Sequence, residues 1–121
     1  KVRVLSALRL LRALPVSRRE ESHRRINAEL AQEKAAALGR AGERLEAALA
    51  DATELGRRLD LATTGEEQER LFAEYESARL RAVHARTALL TQREALGLRN
   101  HRIVDQQYPE PPKRIAARPA R

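Results

Sequence analysis

The stretch EEQERLFAEYESARLRAVHARTALLTQREAL, residues 66–96, decides the fold, because its apolar residues recur every three or four positions. The stripe that they form comprises Leu71, Tyr75, Ala78, Ala82, Ala85, Leu89 and Leu96. Together with Gln92, these positions follow a seven-residue repeat, and Gln92 is the one position that interrupts the apolar run. Such a repeat is typical of the seam of a left-handed coiled coil. The stretch therefore predicts a long amphipathic helix that packs against another helix.

A second stripe lies upstream and repeats at an eleven-residue interval. Its members are Ile26, Leu30, Ala37, Ala41, Leu45, Ala48, Ala52 and Leu59. An eleven-residue repeat spans three helical turns of about 3.67 residues each, so we expect a helix that is straight or slightly right-handed. Many stripe positions are alanine, which buries little apolar area, and the two helices would share a thin core. We therefore expect part of the stability to come from a partner or from self-association.

Local signals set the expected helix boundaries. Ser17 with Glu20, and Thr64 with Glu67, have the spacing of capping boxes, which start helices. Gly97 and Asn100 both tolerate the left-handed conformation that ends a helix. The sequence thus predicts an all-α fold: a coiled-coil-like, antiparallel two-helix hairpin in residues 17–100, with helices over 17–62 and 64–97 and a turn near residues 62–65. We expect such a hairpin to have no pocket and to act by contact with another molecule.

Residues 1–16 predict a separate short, basic, amphipathic helix, because Leu8 and Leu11 fall on one side and Arg9 and Arg12 on another. We expect Pro15 to end it, since proline cannot donate to the helix ladder. The helix could fold back on the hairpin, enter a groove of a partner protein or lie on an anionic membrane surface. The absence of Trp and Phe from the segment makes the membrane interpretation the weakest of the three.

Residues 101–121 predict an extended, basic C-terminal arm. Three prolines within residues 109–112 favour a polyproline-like backbone, and Arg114 belongs to the basic residues that follow. Tyr108 precedes the first of these prolines and has two interpretations: it anchors the arm in a partner pocket, which we favour, or it packs on its own hairpin. His101, which lies between basic residues, either contacts an anion or is a polar helix end.

The net charge of +7 concentrates at the two ends, whereas the long helices are slightly acidic. A helix that coats nucleic acid would instead carry its positive charge along one face. The chain has no cysteine and no run of about 18 apolar residues, so we expect neither a disulfide framework nor a membrane-spanning helix. It also has no methionine, and we expect Lys1 to be a processed end or the first ordered residue.

Neither the histidines nor the glycines form a site with chemical activity. His23, His84 and His101 lack the spacing of metal ligands, and no glycine-rich loop could cradle a phosphate. We therefore expect no catalytic residue, no cofactor and no metal. Gly39 and Gly42 each cost about 1 kcal/mol inside a helix. We interpret them as allowing close approach of a partner helix, and a mild kink is the alternative.

Two segments together resemble a family of short, uncharacterised helical proteins from alphaproteobacteria. The segments are EKAAALGRAGERLEAAL, residues 33–49, and QREALGLRNH, residues 92–101. They are similar to the family patterns EKAxALGRAG and QREAxGLRDH, with Asn100 in place of the usual aspartate. The resemblance covers about residues 22–110 and implies a small, helical, cytoplasmic bacterial protein. It implies no catalytic or binding residues.

These features predict a non-enzymatic structural or adaptor subunit, a scaffold that docks into a larger protein assembly by its helix faces and basic ends. One alternative is a ribosome- or nucleic-acid-associated protein that binds phosphates through its arginine-rich ends. Another is a peripheral protein of anionic membrane surfaces. The residues that we expect to contact a partner are Leu8, Arg9, Leu11, Arg12, Gly39, Gly42, Arg99, His101, Arg102, Tyr108 and Arg114.

Overall fold

A computed structural model describes the backbone of residues 2–116 and the side chains of residues 17–116. It is all-helical, and two long helices pack against each other. Helix α1 spans Val2–Leu61, α2 spans Gly65–Ala95 and the short α3 spans Arg102–Gln107. Residues 2–116 contain no strand. Within this range no helix combines the length and the apolar character that crossing a membrane requires.

The break between α1 and α2 lies where the sequence predicts it. Thr64 is the N-cap of α2, and its side-chain Oγ1 accepts a hydrogen bond from the Glu67 amide at 3.2 Å. Glu66 and Glu67 lie in the first turn, where their negative charges favour the positive end of the helix dipole. The predicted start of the second helix is therefore confirmed, together with the bond that defines it.

The end of α2 is a Schellman motif centred on Gly97. The Leu98 amide donates to the Arg93 carbonyl at 2.9 Å, and the Gly97 amide donates to the Glu94 carbonyl at 2.9 Å. Gly97 has φ of +82°, a left-handed conformation that glycine adopts without the penalty of a Cβ. Of the two candidate stop residues, Gly97 is the one that ends the helix.

Two segments differ from the predicted elements. α1 continues through Pro15 and Ser17, so the helix has no break between residues 16 and 17. A proline removes one amide donor from the helix ladder, and a long helix can absorb that loss as a kink rather than an end. In addition, residues 102–107 form α3 and are not extended, because the prolines that force extension begin only at Pro109.

Two apolar clusters join the long helices. One cluster contains Ala41 and Leu45 of α1, Leu89 of α2 and Val104 of α3. The other consists of Ala52, Tyr75 and Ala78, with Leu55 and Leu59 packed against it. Every stripe position of α2 is buried or half-buried, which confirms the predicted seam of that helix.

The chain divides into two compact units, Lys1–Ala36 and Ala37–Arg121. The first unit is the N-terminal part of α1, and every side chain in residues 18–36 is exposed. Ile26 and Leu30 are 54 % and 46 % exposed despite their stripe positions. The second unit holds both apolar clusters and the C-terminal segment that follows α3.

Candidate functional site: the strap on the long helices

Residues 108–114, here called the strap, follow α3 and contact both long helices. The Tyr108 hydroxyl donates to Oε1 of Glu46 on α1 at 2.7 Å. The Tyr75 hydroxyl on α2 donates to the Pro112 carbonyl at 2.5 Å. The Arg114 guanidinium Nη1 donates to Oδ1 of Asp60 on α1 at 2.5 Å. Three polar contacts thus attach the strap at three separate points.

Tyr75 forms the floor beneath the last part of the strap. It lies on the α2 stripe, and its side chain is 2 % exposed. The guanidinium carbon of Arg114 lies 4.9 Å from the centroid of the Tyr75 ring, which is within the range of a cation–π contact. The ring therefore contacts a cation with its face, while its hydroxyl donates to the carbonyl two residues earlier in the strap.

Gly56 gives the strap room on the α1 side. A Cβ at this position would lie 2.9 Å from Nη2 of Arg114 and 3.4 Å from Cε2 of Tyr75. The first distance is shorter than van der Waals contact permits, so any side chain here would displace the guanidinium. Gly56 is buried. It faces the strap at the point where Tyr75 and Asp60 both contact the strap. Its helix-weakening cost is offset by this close approach.

The electrostatics of the site centre on Asp60. The hydrogen bond from Arg114, followed by its charge, lowers the pKa of the Asp60 carboxyl below its ordinary value of 3.8. The same hydrogen bond raises the pKa of Arg114. Nη2 of Arg114 also reaches Oδ2 of Asp60 at 3.4 Å, so the two groups meet in a fork-to-fork arrangement. Asp60 is thus poised to receive a guanidinium.

Two arginines of α2 form ion pairs, Arg79 within its own helix and Arg86 with the residues that follow α2. Arg79 is 7 % exposed and donates to both carboxylate oxygens of Glu76, which lowers the pKa of Glu76. Arg86 pairs with Asp105 of α3 and lies 3.8 Å from the Glu110 carboxylate of the strap. The path from α3 into the strap is therefore held by charge as well as by the apolar packing of Tyr108.

An open cleft of about 430 Å³ lies between the strap and the helices. Its apolar wall comes from Leu49 and Ala52, and its charged rim includes Arg57, Asp60 and Glu110. The expectation that the hairpin has no pocket is wrong here, because the strap supplies a second wall that two helices alone lack. In the described part of the chain, His, Asp and Glu side chains do not cluster in a way that could hold a metal ion.

The structure gives three of the predicted partner-binding residues, His101, Tyr108 and Arg114, partners within the chain. His101 lies between Arg93, whose Nε donates to its Nδ1 at 3.4 Å, and Glu94, which is 3.2 Å from its Nε2. Tyr108 packs against the cluster of Ala41 and Leu45, and its hydrogen bond to Glu46 raises the pKa of its hydroxyl. An anchor role in a partner pocket would first require this contact to open.

The remaining predicted residues are separate from the strap. Arg99 and Arg102 are exposed, and neither lines the cleft. A Cβ placed on Gly39 or Gly42 would meet no atom within 4 Å, so the close approach expected there stays a prediction about another molecule. The side chains of Leu8, Arg9, Leu11 and Arg12 lie outside the described residues.

Sequence reasoning identified Arg114 but missed Gly56 and Asp60, and it saw Tyr75 as a seam residue alone. One signal was available: Gly56 is a third glycine within α1 and demands an explanation as much as Gly39 does. Asp60 offered no signal, because its partner is 54 residues away in the sequence.

Comparisons with protein-family models, with curated proteins and with solved structures found no match.

Proposed function

We propose that this chain is a non-enzymatic structural or adaptor subunit: an antiparallel helical hairpin that docks by an exposed helix face and by its basic ends into a larger protein assembly. The observation that carries the proposal is the exposure of Ile26 and Leu30. Both belong to the stripe that is buried further along the same helix at Ala41 and Leu45. A cytoplasmic location, which the family resemblance implies, is part of the proposal.

Ile26 and Leu30 have large apolar side chains, and covering them would contribute free energy to binding. Complete burial of a leucine or isoleucine side chain contributes about 1.5–3 kcal/mol, and Ile26 and Leu30 are roughly half-exposed in the isolated chain. A partner helix that covered both would therefore gain a substantial part of that amount at each position. Apolar residues on one helix face are the anchors by which helices dock into grooves.

Charge would orient such a partner. The chain carries a net charge of +7, and its sequence concentrates that charge near both ends. Charges at the edge of an interface mainly raise association rates and select partners, whereas buried apolar residues hold the complex. We therefore expect a partner with an acidic surface, bound in a complex that survives moderate salt.

The test is affinity purification of tagged chain from its native host at moderate salt with nuclease. The Ile26→Glu/Leu30→Glu variant should lose its stoichiometric protein partners. The matched control is Ala28→Glu/Gln32→Glu, which adds the same charges to the opposite face of the same helix and should keep them. Equal recovery of partners by both variants would contradict docking through this face.

The alternatives give different results in the same experiment. A nucleic-acid-associated protein would lose its partners on nuclease treatment, and its binding would fall steeply and log-linearly with salt. A membrane-surface protein would sediment with anionic vesicles and lose this property when residues 1–14 are removed. Self-association through the same face would appear as a dimer in light scattering, which Ile26→Glu/Leu30→Glu would dissociate.

A further inference from the structure

We propose that the surface formed by Gly56, Asp60 and Tyr75 is a recognition site for an extended, basic, proline-rich peptide, which the strap of the same chain occupies. A Pro-x-Arg segment of another protein would bind this surface in place of Pro112–Arg114. This site is separate from the exposed face of residues 18–36, and the inference does not rest on the proposed function.

Each contact on this surface recognises a different property of the bound segment. The Tyr75 hydroxyl donates to a backbone carbonyl, that of Pro112, at 2.5 Å. The Asp60 carboxylate accepts from both terminal nitrogens of the Arg114 guanidinium, at 2.5 and 3.4 Å. Together they select a backbone carbonyl that is followed, two residues later, by an arginine.

The shape of the surface also fits the guanidinium of the bound segment. Gly56 has no side chain, and a Cβ there would lie 2.9 Å from Nη2 of Arg114, so the helix leaves a space into which the guanidinium fits. The Tyr75 ring lies beneath that guanidinium, 4.9 Å from its carbon. Domains that recognise proline-rich peptides likewise use aromatic side chains and exploit the low entropy cost of binding a preformed extended segment.

A peptide can displace the last part of the strap only if that part is held by few contacts. Pro109, Pro112 and Lys113 are exposed, and an open cleft of about 430 Å³ remains between the strap and the helices. Apart from Tyr108, which packs against an apolar cluster, the strap therefore buries little apolar surface, and its last part is attached by a few polar contacts. Segments with few buried apolar contacts open locally at low free-energy cost. A peptide in solution can then compete for the vacated surface.

The experiment uses the full chain and a fluorescent peptide, PEPPKRIA, that copies residues 109–116. Binding is measured by fluorescence anisotropy. The Arg114→Gln variant weakens the strap, and its apparent affinity for the peptide should exceed that of the unmodified chain by about tenfold if the closed form is populated about ten to one. The matched control, Arg44→Gln, removes an equal charge from an exposed position outside the cleft and should leave the affinity unchanged.

Two further measurements show where the peptide binds. Adding Asp60→Asn to Arg114→Gln should cancel the gain, and a peptide with glutamine in place of its arginine should fail to bind. No binding to the Arg114→Gln variant while circular dichroism shows its helices intact would overturn the proposal. Equal binding by the Arg114→Gln and Arg114→Gln/Asp60→Asn variants would also overturn it.

The unmodified chain provides a test that needs no variant. Excess unlabelled peptide should shift the NMR signals of the Arg114 side chain, because the peptide's own arginine replaces it above the Tyr75 ring. The glutamine version of the peptide should leave those signals unchanged. A shift with both peptides, or with neither, would overturn the proposal.

Discussion

The two parts of the apolar stripe on α1 differ in burial in a way that runs against the size of their side chains. Ile26 and Leu30 are 54 % and 46 % exposed, whereas the much smaller Ala41 and Ala52 are 6 % and 0 % exposed. The buried positions are those that α2 contacts. Burial along this helix is therefore decided by where another element packs, and the hydrophobicity of the residue alone does not predict it.

The most severe way to break the packed part is to place a charge in its seam. Ala82 is 1 % exposed, and Ala82→Asp would bury an unpaired carboxylate between the helices. We expect it to lower the free energy of unfolding by at least about 3 kcal/mol. Ala73→Asp, at an exposed position of the same helix, should be mild. Urea unfolding followed by circular dichroism measures both, and equal losses would show that the seam is misassigned.

Truncation of two leucines tests the comparison directly. Leu45 is 0 % exposed, and Leu45→Ala should destabilise the chain by about 2–4 kcal/mol through lost burial and a residual cavity. Leu30→Ala removes the same atoms from an exposed site and should change the free energy of unfolding by less than about 0.5 kcal/mol. The same urea titration applies. A large effect at Leu30 would mean that this position is already covered in solution, by a second copy for example.

Two glycine substitutions sharpen the comparison within α1. Gly39→Ala meets no neighbouring atom and should stabilise the chain by about 0.5–1 kcal/mol, because alanine favours the helix. Gly56→Ala brings the same propensity gain but pushes the Arg114 guanidinium from its place. We expect a smaller net gain or none, measured by thermal unfolding. An equal rise in Tm for both variants would contradict the close contact between Gly56 and the strap.

The smallest effect is the pH dependence of the strap. Arg114 lowers the pKa of Asp60 from 3.8, so this contact contributes fully above that value and is lost as the pH falls through the lower, folded-state pKa. Acidification below pH 3.8 should therefore shift the NMR signals of the Tyr75 ring as Arg114 leaves it. Asp60→Asn should abolish this acid transition, and a transition that persists in that variant would have another cause.

Local chemistry made both ends of α2 largely predictable. Thr64 caps α2 through a bond to a residue three positions away, and Gly97 ends α2 through bonds to residues within the same turn. Pro15 shows the limit of such reasoning, since a local rule predicts a stop and α1 continues. A proline inside a helix costs about 3 kcal/mol, which did not end a helix that continues over many residues beyond it.

The candidate site was far less predictable, because its contacts join residues that are distant in the sequence. Arg114 and Asp60 are 54 positions apart, Tyr108 and Glu46 are 62 apart, and Tyr75 and Pro112 are 37 apart. No periodic pattern relates these pairs, and nothing in the sequence around Asp60 indicates a partner. The positive charge of the C-terminal arm predicts contact with another molecule, whereas Arg114 of this arm pairs with Asp60 of the same chain.

The sequence by itself determined the helical class, the turn before Gly65, an end of α2 at Gly97 or Asn100 and the buried stripe of α2, because propensity, capping and periodicity act over a few residues. The tertiary structure alone decided which part of the α1 stripe is covered and why Gly56 is a glycine. It also decided where the strap lies. These features depend on where the chain returns after a long excursion, and that outcome is set by the packing of whole elements.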